Sequence, residues 1–593
     1  MAKLPYWVRR YQRLFVCRLL AVSITGTLLC MLIWPRAVAS RVIGSDRIAD
    51  DFATPPEREP DTIIRAEPTQ YEPVIARPQK PMRAHDPIPR QDERLRAPEV
   101  LRPDEDLSKS IQEFSHFLSD DMRSKALLEP IVATGEALLR DLAYRVRHFR
   151  AAFAMWESLH LIEGQGLHRR HDIMQHLRAA DISAAGRANA VHTYDQFRFL
   201  INGLASRLFP WTTTYLGDHM SLHASFYTGG RGIALTAGEH QVSYLLTSIP
   251  SFRKLGCELP IEVLYLGDDD MTEESRERLE ALPNVITRDL TQMIEDKGWT
   301  LKGWAAKPFA ILMSSFREVI FIDADALFFT NPGTLFEDAQ YRETGALFFK
   351  DRNLSPESKR KWLKQILPAP ISPHVKKNRL WTGESGHMQD SGVVVVDKWK
   401  HFIPLLLTTR LNGPDRDGNE ATGKKGVYEM VYGDKETFWL SWELADVLDY
   451  SFHDSVTGNM GTLVTPKTKP LNSSNDDNPE SEETEGQETE IKPSRSRICS
   501  AQLLHFDSEG KPFWFNGWLE KHKHDENSPL DFADFDAYMK EPSEVGRRPK
   551  SSAWDIKPDN VVCLQSEEHF EFSNEESEVL EMIKDIARAG ETE

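Results

Sequence analysis

Apolar and polar positions along the 593-residue chain change their spacing several times, and each change marks a different kind of segment. Leu14–Trp34 is a run of 21 residues, apolar apart from Arg18, behind Lys3, Arg9, Arg10 and Arg13. A helix of that length crosses a bilayer. Arg18, near one end, snorkels to the interface, and the preceding positive charge keeps the N-terminus cytoplasmic. The pattern predicts a tail over 1–13 and an uncleaved signal-anchor over 14–34. A cleaved signal peptide is the rival, with Ala37-Val38-Ala39 as its cleavage site, but the run is long for one. Over 107–207 apolar residues recur at helical spacing, as in Leu138, Leu139, Leu142, Val146, Phe149 and Phe153, which predicts a helical subdomain. From Gly229 the pattern changes to short apolar runs: Ile233–Thr236, Ile261–Leu266, Val285–Thr287 and Val319–Ile322. Helical patterns at Gln241–Ile249 and Trp304–Ser314 fall between them. Strands alternating with helices predict an α/β domain with a largely parallel, doubly wound sheet over 208–570.

Composition changes this picture at three places. Eleven prolines between Pro55 and Pro103, mixed with Arg, Glu and Asp, predict an extended stem over 35–106 that buries no core. The stretches 466–497 and 571–593 are rich in Asp and Glu and predict a solvated insert and an acidic tail. The formal charge of −19 argues against nucleic acid as a partner. Of the five cysteines, Cys17 and Cys30 lie in the apolar run. Cys257, Cys499 and Cys563 have no metal-ligand spacing, so one pair could bridge in an oxidising lumen and leave an odd thiol. Asn353-Leu-Ser and Asn472-Ser-Ser are glycosylation sequons, in keeping with a secretory location.

Candidate chemistry centres on Arg317–Pro332. The strand pattern Val319–Ile322 ends in Asp323 and Asp325, where open α/β sheets bind ligands. Two carboxylates there are costly to bury without a cation. Oxygen ligands suit Mg²⁺ or Mn²⁺ bridging to a diphosphate. The same motif opens phosphatases with Asp323 as nucleophile, although Leu327 stands where those usually carry Thr or Val. Asp323 and Asp325 could also simply end the strand. The strand-turn-helix after Gly230, with Thr236 and Gly238 at the turn, is a nucleotide-binding pattern. Asp390 precedes the strand pattern Val393–Val396. Asp434 and Glu436 begin a helical pattern, where acids also complement the helix dipole. His505 follows an apolar strand end with Lys511 six residues on. Imidazole suits Mn²⁺ as a further ligand, and a Lys beside it neutralises a diphosphate.

Five blocks in order carry a resemblance: GRGIALTAG (230–238), residues 302–332, QDSGVVVV (389–396), GDKETFW (433–439) and 505–514. Together, over about residues 225–520, they resemble the fungal α-1,3-mannosyltransferases of the Golgi, type II membrane proteins with a GT-A fold. More distantly, Lys307, Asp323, Asp325, Asp390 and 505–514 are similar to glycogenin-like retaining transferases. The resemblance implies a GT-A type doubly wound mixed sheet, GDP-mannose as donor, Mn²⁺ (or Mg²⁺) as metal, and a mannose-terminated glycan or glycoprotein as acceptor. It implies α-1,3 transfer with retention in protein glycosylation, in a single-pass Golgi membrane protein with a lumenal catalytic domain. Carried over by position, Asp323, Asp325 and His505 would hold the metal and Asp323 would also touch the ribose. Lys307 and Lys511 would face the donor phosphates. Asp390, Asp434 and Glu436 would hold sugar or acceptor hydroxyls, with Asp390 also a nucleophile candidate. A UDP-sugar donor, or a catalytically silent scaffold of a mannosyltransferase complex, are the alternatives.

Overall fold

The computed structural model describes residues 107–163, 167–170, 173–179, 183–212, 217–465, 495–520, 532–542, 553–557 and 561–590. The tail, signal-anchor and stem, and residues 466–494 of the acidic insert, lie outside them. Among the described residues no helix is long and apolar enough to cross a membrane.

Three helices form a layer at the N-terminal side: α1 (Leu107–Leu118), α2 (Gly135–His160) and α3 (Ala184–Leu208). The helical spacing of Leu138, Leu142, Val146, Phe149 and Phe153 buries one face of α2. The Phe114 ring of α1 stacks on Phe197 of α3, with centroids 3.9 Å apart. Ser183 starts α3 by accepting the Gly186 N–H, which satisfies one open donor of its first turn.

The α/β body follows. Its principal helices are α4 (Val242–Lys254), α5 (Ala306–Met313), α6 (Phe402–Asn412), α7 (Thr437–Ala445) and α8 (Asn574–Gly590). Its principal strands are β1 (Arg231–Thr236), β2 (Ile261–Tyr265), β3 (Val285–Asp289), β4 (Glu318–Asp323), β5 (Ala326–Phe328), β6 (Ala346–Lys350), β7 (Gln389–Asp397), β8 (Ser451–Phe452), β9 (Thr457–Gly461), β10 (Leu503–Phe506), β11 (Pro512–Asn516), β12 (Ala537–Lys540) and β13 (Phe570–Glu571). The main sheet has the order β8-β6-β7-β4-β1-β2-β3. Its neighbours run parallel except at β7, which is antiparallel to both β4 and β6. The mixed α/β sheet expected from the sequence is therefore present. β7 is buried on both faces along its whole length, which its four consecutive valines suit. α5, α6 and α7 are also buried all round and cover one side of the sheet. A second, antiparallel sheet has the order β13-β12-β9-β10-β11-β5. β4 belongs to the first sheet and β5 to the second, so the chain passes between sheets at Asp323-Ala324-Asp325.

Three findings differ from the expectation. Asp390 lies inside β7, because pairing with β6 continues past the valines to Gln389. The acidic C-terminal segment is not a solvated tail: residues 574–590 form α8, which packs on α4. Leu580, Ile583 and Ala587 supply an apolar stripe that the surrounding acids mask in composition, and Glu575 and Glu576 complement the start of the helix. Ser496 and Arg497, assigned to the insert, already belong to a strand at Ser496–Ser500. That strand pairs with Val562–Ser566, and Cys499 and Cys563, opposite one another, form a disulfide while Cys257 is free and buried.

The buried histidines set an acid limit. Burial lowers His160 and His401 to about 4 from the ordinary 6.5. Between these values the unfolded chain binds more protons, so stability rises with pH. We expect the urea midpoint to fall as pH drops from about 6.5 to about 4. The slope in that window should be smaller in His401→Gln, whose side chain keeps a donor for the Thr344 carbonyl.

Candidate active site

Two strand ends and one helix start make the first half of the site. Thr236 closes β1 and is in register with Asp323, which closes the parallel β4. The first turn of α5 carries Lys307 beneath them, 7 % exposed. α5 is held by Lys398, whose buried Nζ donates to the Leu312 carbonyl at 3.2 Å and the Ser314 carbonyl at 2.5 Å. Burial lowers the Lys398 pKa well below its ordinary value, so the amine acts here as a hydrogen-bond donor to the end of the helix. Lys307 Nζ donates to Asp323 Oδ2 at 2.7 Å and Ser391 Oγ at 3.3 Å, and lies 3.8 Å from Asp434 Oδ2. One ammonium thus faces the buried Asp434 and the largely enclosed Asp323, with Asp325 adding to the repulsion on Asp323. Burial, with Asp325 and Asp434, pushes Asp323 up to about 7 against the pull of Lys307. Burial works against the Lys307 charge, but Asp323 and Asp434 outweigh it and raise its pKa. Asp325 is half-buried at the crossing between the sheets, where its carbonyl accepts the Trp518 N–H at 3.1 Å.

The second half is built on an irregularity in β7. Leu347 is opposite Val395, yet Phe349 is opposite Asp390, so extra residues of β7 bulge between them. A bulge re-aims side chains. Here neighbouring residues serve different partners: Ser391 meets Lys307, and Asp390 Oδ2 accepts from His505 Nε2 at 3.0 Å. Asp390 Oδ1 accepts the Gly392 N–H at 3.2 Å and lies 3.7 Å from Lys435 Nζ, which donates to Asp351 at 2.8 Å. Burial pushes Asp390 up, but Lys435 and His505 outweigh it and hold the carboxyl well below its usual range. Burial lowers His505, partly countered by Asp390. The His505 ring stacks on Trp514, its cross-strand partner, at 3.9 Å. Gly392 permits this approach, since a Cβ there would lie 2.7 Å from Asn516 Nδ2 and 3.2 Å from the Trp514 ring.

Asp323, Asp325, Asp434 and Lys307 come together as a group, and Asp390 and His505 as another beside it. Three residues read from the sequence have different surroundings. Glu436 is not turned to a ligand: its Oε1 accepts the Met388 N–H at 2.7 Å and its Oε2 the Trp439 indole N–H, tying α7 to the start of β7. Lys511 is in the exposed turn between β10 and β11, paired with Glu509 at 3.0 Å. Gly238 is packed so closely on Asp270 that a Cβ would meet its Oδ1 at 2.4 Å, and its N–H is bonded to Gln241. Lys435, Asp351 and Ser391 were missed. Lys435 stands between two acids already singled out, but only the packing shows that it turns inward.

The donor set suits a divalent cation in part. Asp323 and Asp325 crowd one strand end with a single ammonium, and hard cations are often held by one or two carboxylates plus substrate phosphates. His505 Nε2 is occupied by Asp390, and among the described residues no group of three or more His, Cys, Asp or Glu side chains converges on a metal position. The buried polar atoms without a hydrogen-bond partner among the described residues include Gln389 Oε1 and Nε2, Asp434 Oδ2 and Trp514 Nε1. Such atoms are rare in native interiors.

Residues 230–507, which span both halves of the site, match the family model described as "Mannosyltransferase putative". Two proteins of Saccharomyces cerevisiae are similar to the chain. "Probable alpha-1,3-mannosyltransferase MNT4" is 28% identical over 335 residues, covering 50% of this chain and 51% of that protein. "Alpha-1,3-mannosyltransferase MNT3" is 27% identical over 344 residues, covering 52% and 50%. The chain spans about a third to a half of the length of the curated relatives it matches. The solved mannosyltransferase Ktr4p of S. cerevisiae is 12% identical with a TM-score of 0.26, over 41% of this chain and 80% of that one. The resemblance to fungal α-1,3-mannosyltransferases carried by the sequence blocks is borne out by the family match and the curated relatives.

Proposed function

We propose that this chain, a relative of the fungal α-1,3-mannosyltransferases, moves mannose from GDP-mannose to a terminal mannose of a glycan, with an α-1,3 linkage and retention. We place it in protein glycosylation, in the Golgi membrane, as a single-pass type II protein with a GT-A domain in the lumen. The observation that carries the reaction is the meeting of Asp323 and Asp434 at Lys307, with Asp325 beside Asp323, where parallel β1 and β4 end.

Asp323 and Asp325 would hold Mn²⁺ or Mg²⁺, and a bound cation offsets negative charge on the leaving diphosphate. Lys307 orients the Asp323 carboxyl and opposes the rise in its pKa that burial and the neighbouring acids cause. Asp434 Oδ2, 3.8 Å from Lys307 Nζ and without a hydrogen bond among the described residues, is suited to accept from a sugar hydroxyl. Asp390 has both oxygens engaged, which favours positioning His505 and the floor of the site over attack on the sugar.

The direct test incubates the full chain with Mn²⁺, mannobiose and either GDP-mannose or a UDP-sugar, reading product mass and linkage. Transfer from GDP-mannose alone supports the proposal. Transfer from a UDP-sugar alone would replace the donor, and no transfer together with no donor binding would favour a silent scaffold. His505→Ala separates two roles. The bond to Asp390 predicts slower turnover with an unchanged manganese midpoint. A midpoint raised about 10-fold or more, the scale of effects around metal ligands, would make His505 a ligand.

A further inference from the structure

The helical layer contains a cavity of about 370 Å³ that the transferase chemistry does not use. That is within the usual size of small-ligand sites, roughly 300–1,000 Å³. Its aromatic wall comes from Phe149, Phe153 and Trp156 of α2 and Tyr194 of α3. The Trp156 and Tyr194 rings lie within 26° of parallel, 5.3 Å apart. The same cavity is lined by three arginines, Arg169, Arg170 and Arg198, and by one acid, Asp218.

The charges in this lining do not balance. Asp218 accepts from Arg169 Nη2 at 2.8 Å and from the Ser221 N–H at 2.7 Å, so it is already engaged. Arg198 pairs with Asp195 at 3.1 Å, with its side chain 55 % exposed. Arg170 differs from both. It is 7 % exposed, and its buried Nε has no hydrogen-bond partner among the described residues. A guanidinium does not shed its proton, and a buried N–H left without an acceptor is costly. His219 Nε2 is a second buried atom of the lining without a partner among them. His160 offers Arg170 no acceptor, since its nitrogens meet the Trp156 carbonyl at 2.7 Å and the Tyr194 hydroxyl at 3.0 Å.

We propose that this cavity is a second binding site, for a small anionic ligand. A phosphate or carboxylate group would sit on Arg170 with Arg169 beside it, and a body of about one sugar or aromatic ring would lie against Trp156 and Tyr194. Arg pairs with such groups through two parallel N–H bonds, which gives the site its selectivity for a planar or tetrahedral anion. The site is built from α2, α3, Arg169, Arg170, Ile173, Met174 and residues 218–220, none of them in the transferase cluster.

Phenyl phosphate is the probe, titrated into the full detergent-solubilised chain by calorimetry, with benzyl alcohol as the uncharged control. We expect saturable binding of one phenyl phosphate per chain and none of benzyl alcohol. Arg170→Gln should weaken it at least tenfold with an unchanged far-ultraviolet spectrum. Arg198→Gln, on the exposed rim, should weaken it less. Asp323→Asn, in the transferase cluster, should leave it unchanged, which keeps this result independent of the proposed reaction. No saturable binding would overturn the proposal, as would equal binding in Arg170→Gln or equal binding of benzyl alcohol. Binding altered by Asp323→Asn would assign the anion to the transferase site instead.

Discussion

Asp325→Ala is expected to lower mannosyl transfer by about 10³-fold or more, the scale on which loss of one charge-stabilising group acts, while the folded chain survives. The two halves of that expectation have one origin. Asp325 contributes to the repulsion that, with burial, raises Asp323 to about 7. Removing it relieves an unfavourable pair, so the thermal midpoint of the protein without metal should stay or rise. The same repulsion is what a divalent cation would neutralise, so the variant should lose manganese-dependent donor binding. The measurement is a transfer assay over a manganese series beside a thermal melt on the same preparation. Normal manganese-dependent turnover in Asp325→Ala would remove the strand end from the site. A collapsed melting transition would show that Asp325 serves the crossing between the sheets instead.

The parts of this fold legible in the sequence are those where one side of the chain decides the matter. Ile233–Thr236, Ile261–Leu266 and Val319–Ile322 are mostly apolar because their strands are buried on both faces, and they coincide with β1, β2 and β4; the exception, Glu262 in β2, is paired with Arg288 at 2.8 Å. The α8 helix was hidden because three apolar residues hold it to α4 while its acids dominate the composition. In the site, Asp323, Asp325, Asp390, Asp434 and His505 stood out as residue types costly to bury at strand and helix ends. Lys435 did not, because its inward turn depends on Asp351 and Asp390, separated from it by 84 and 45 positions. The bulge in β7 is equally invisible, since it follows from pairing with β6 and not from the run of valines. Glu436 misled for the opposite reason: an acid at a helix start suggests chemistry or a dipole complement, while its actual partners are two backbone N–H groups and an indole.

Lys307→Met should do what Asp325→Ala does not, and damage both fold and activity. It removes the ammonium that faces Asp323 at 2.7 Å and Asp434 at 3.8 Å, leaving two buried acids without a counter-charge. Breaking a buried pair on one side costs about 3–5 kcal/mol. The cost has a sign in pH. A carboxyl whose folded pKa is raised holds its proton more tightly in the folded chain, so its contribution to stability falls as pH rises. Asp323 is already raised with Lys307 present, and more so without it. The loss in Lys307→Met should therefore grow from pH 5 to pH 8, measured as the shift of the urea midpoint against the parent at each pH. Adding Asp323→Asn, which removes the charge that Lys307 balances, should restore most of the midpoint and flatten its pH dependence. Transfer should stay absent in the double variant, because Asp323 is one of the two carboxylates at the strand end. A Lys307→Met midpoint equal to the parent at every pH would mean that Lys307 is not the counter-ion of Asp323 and Asp434.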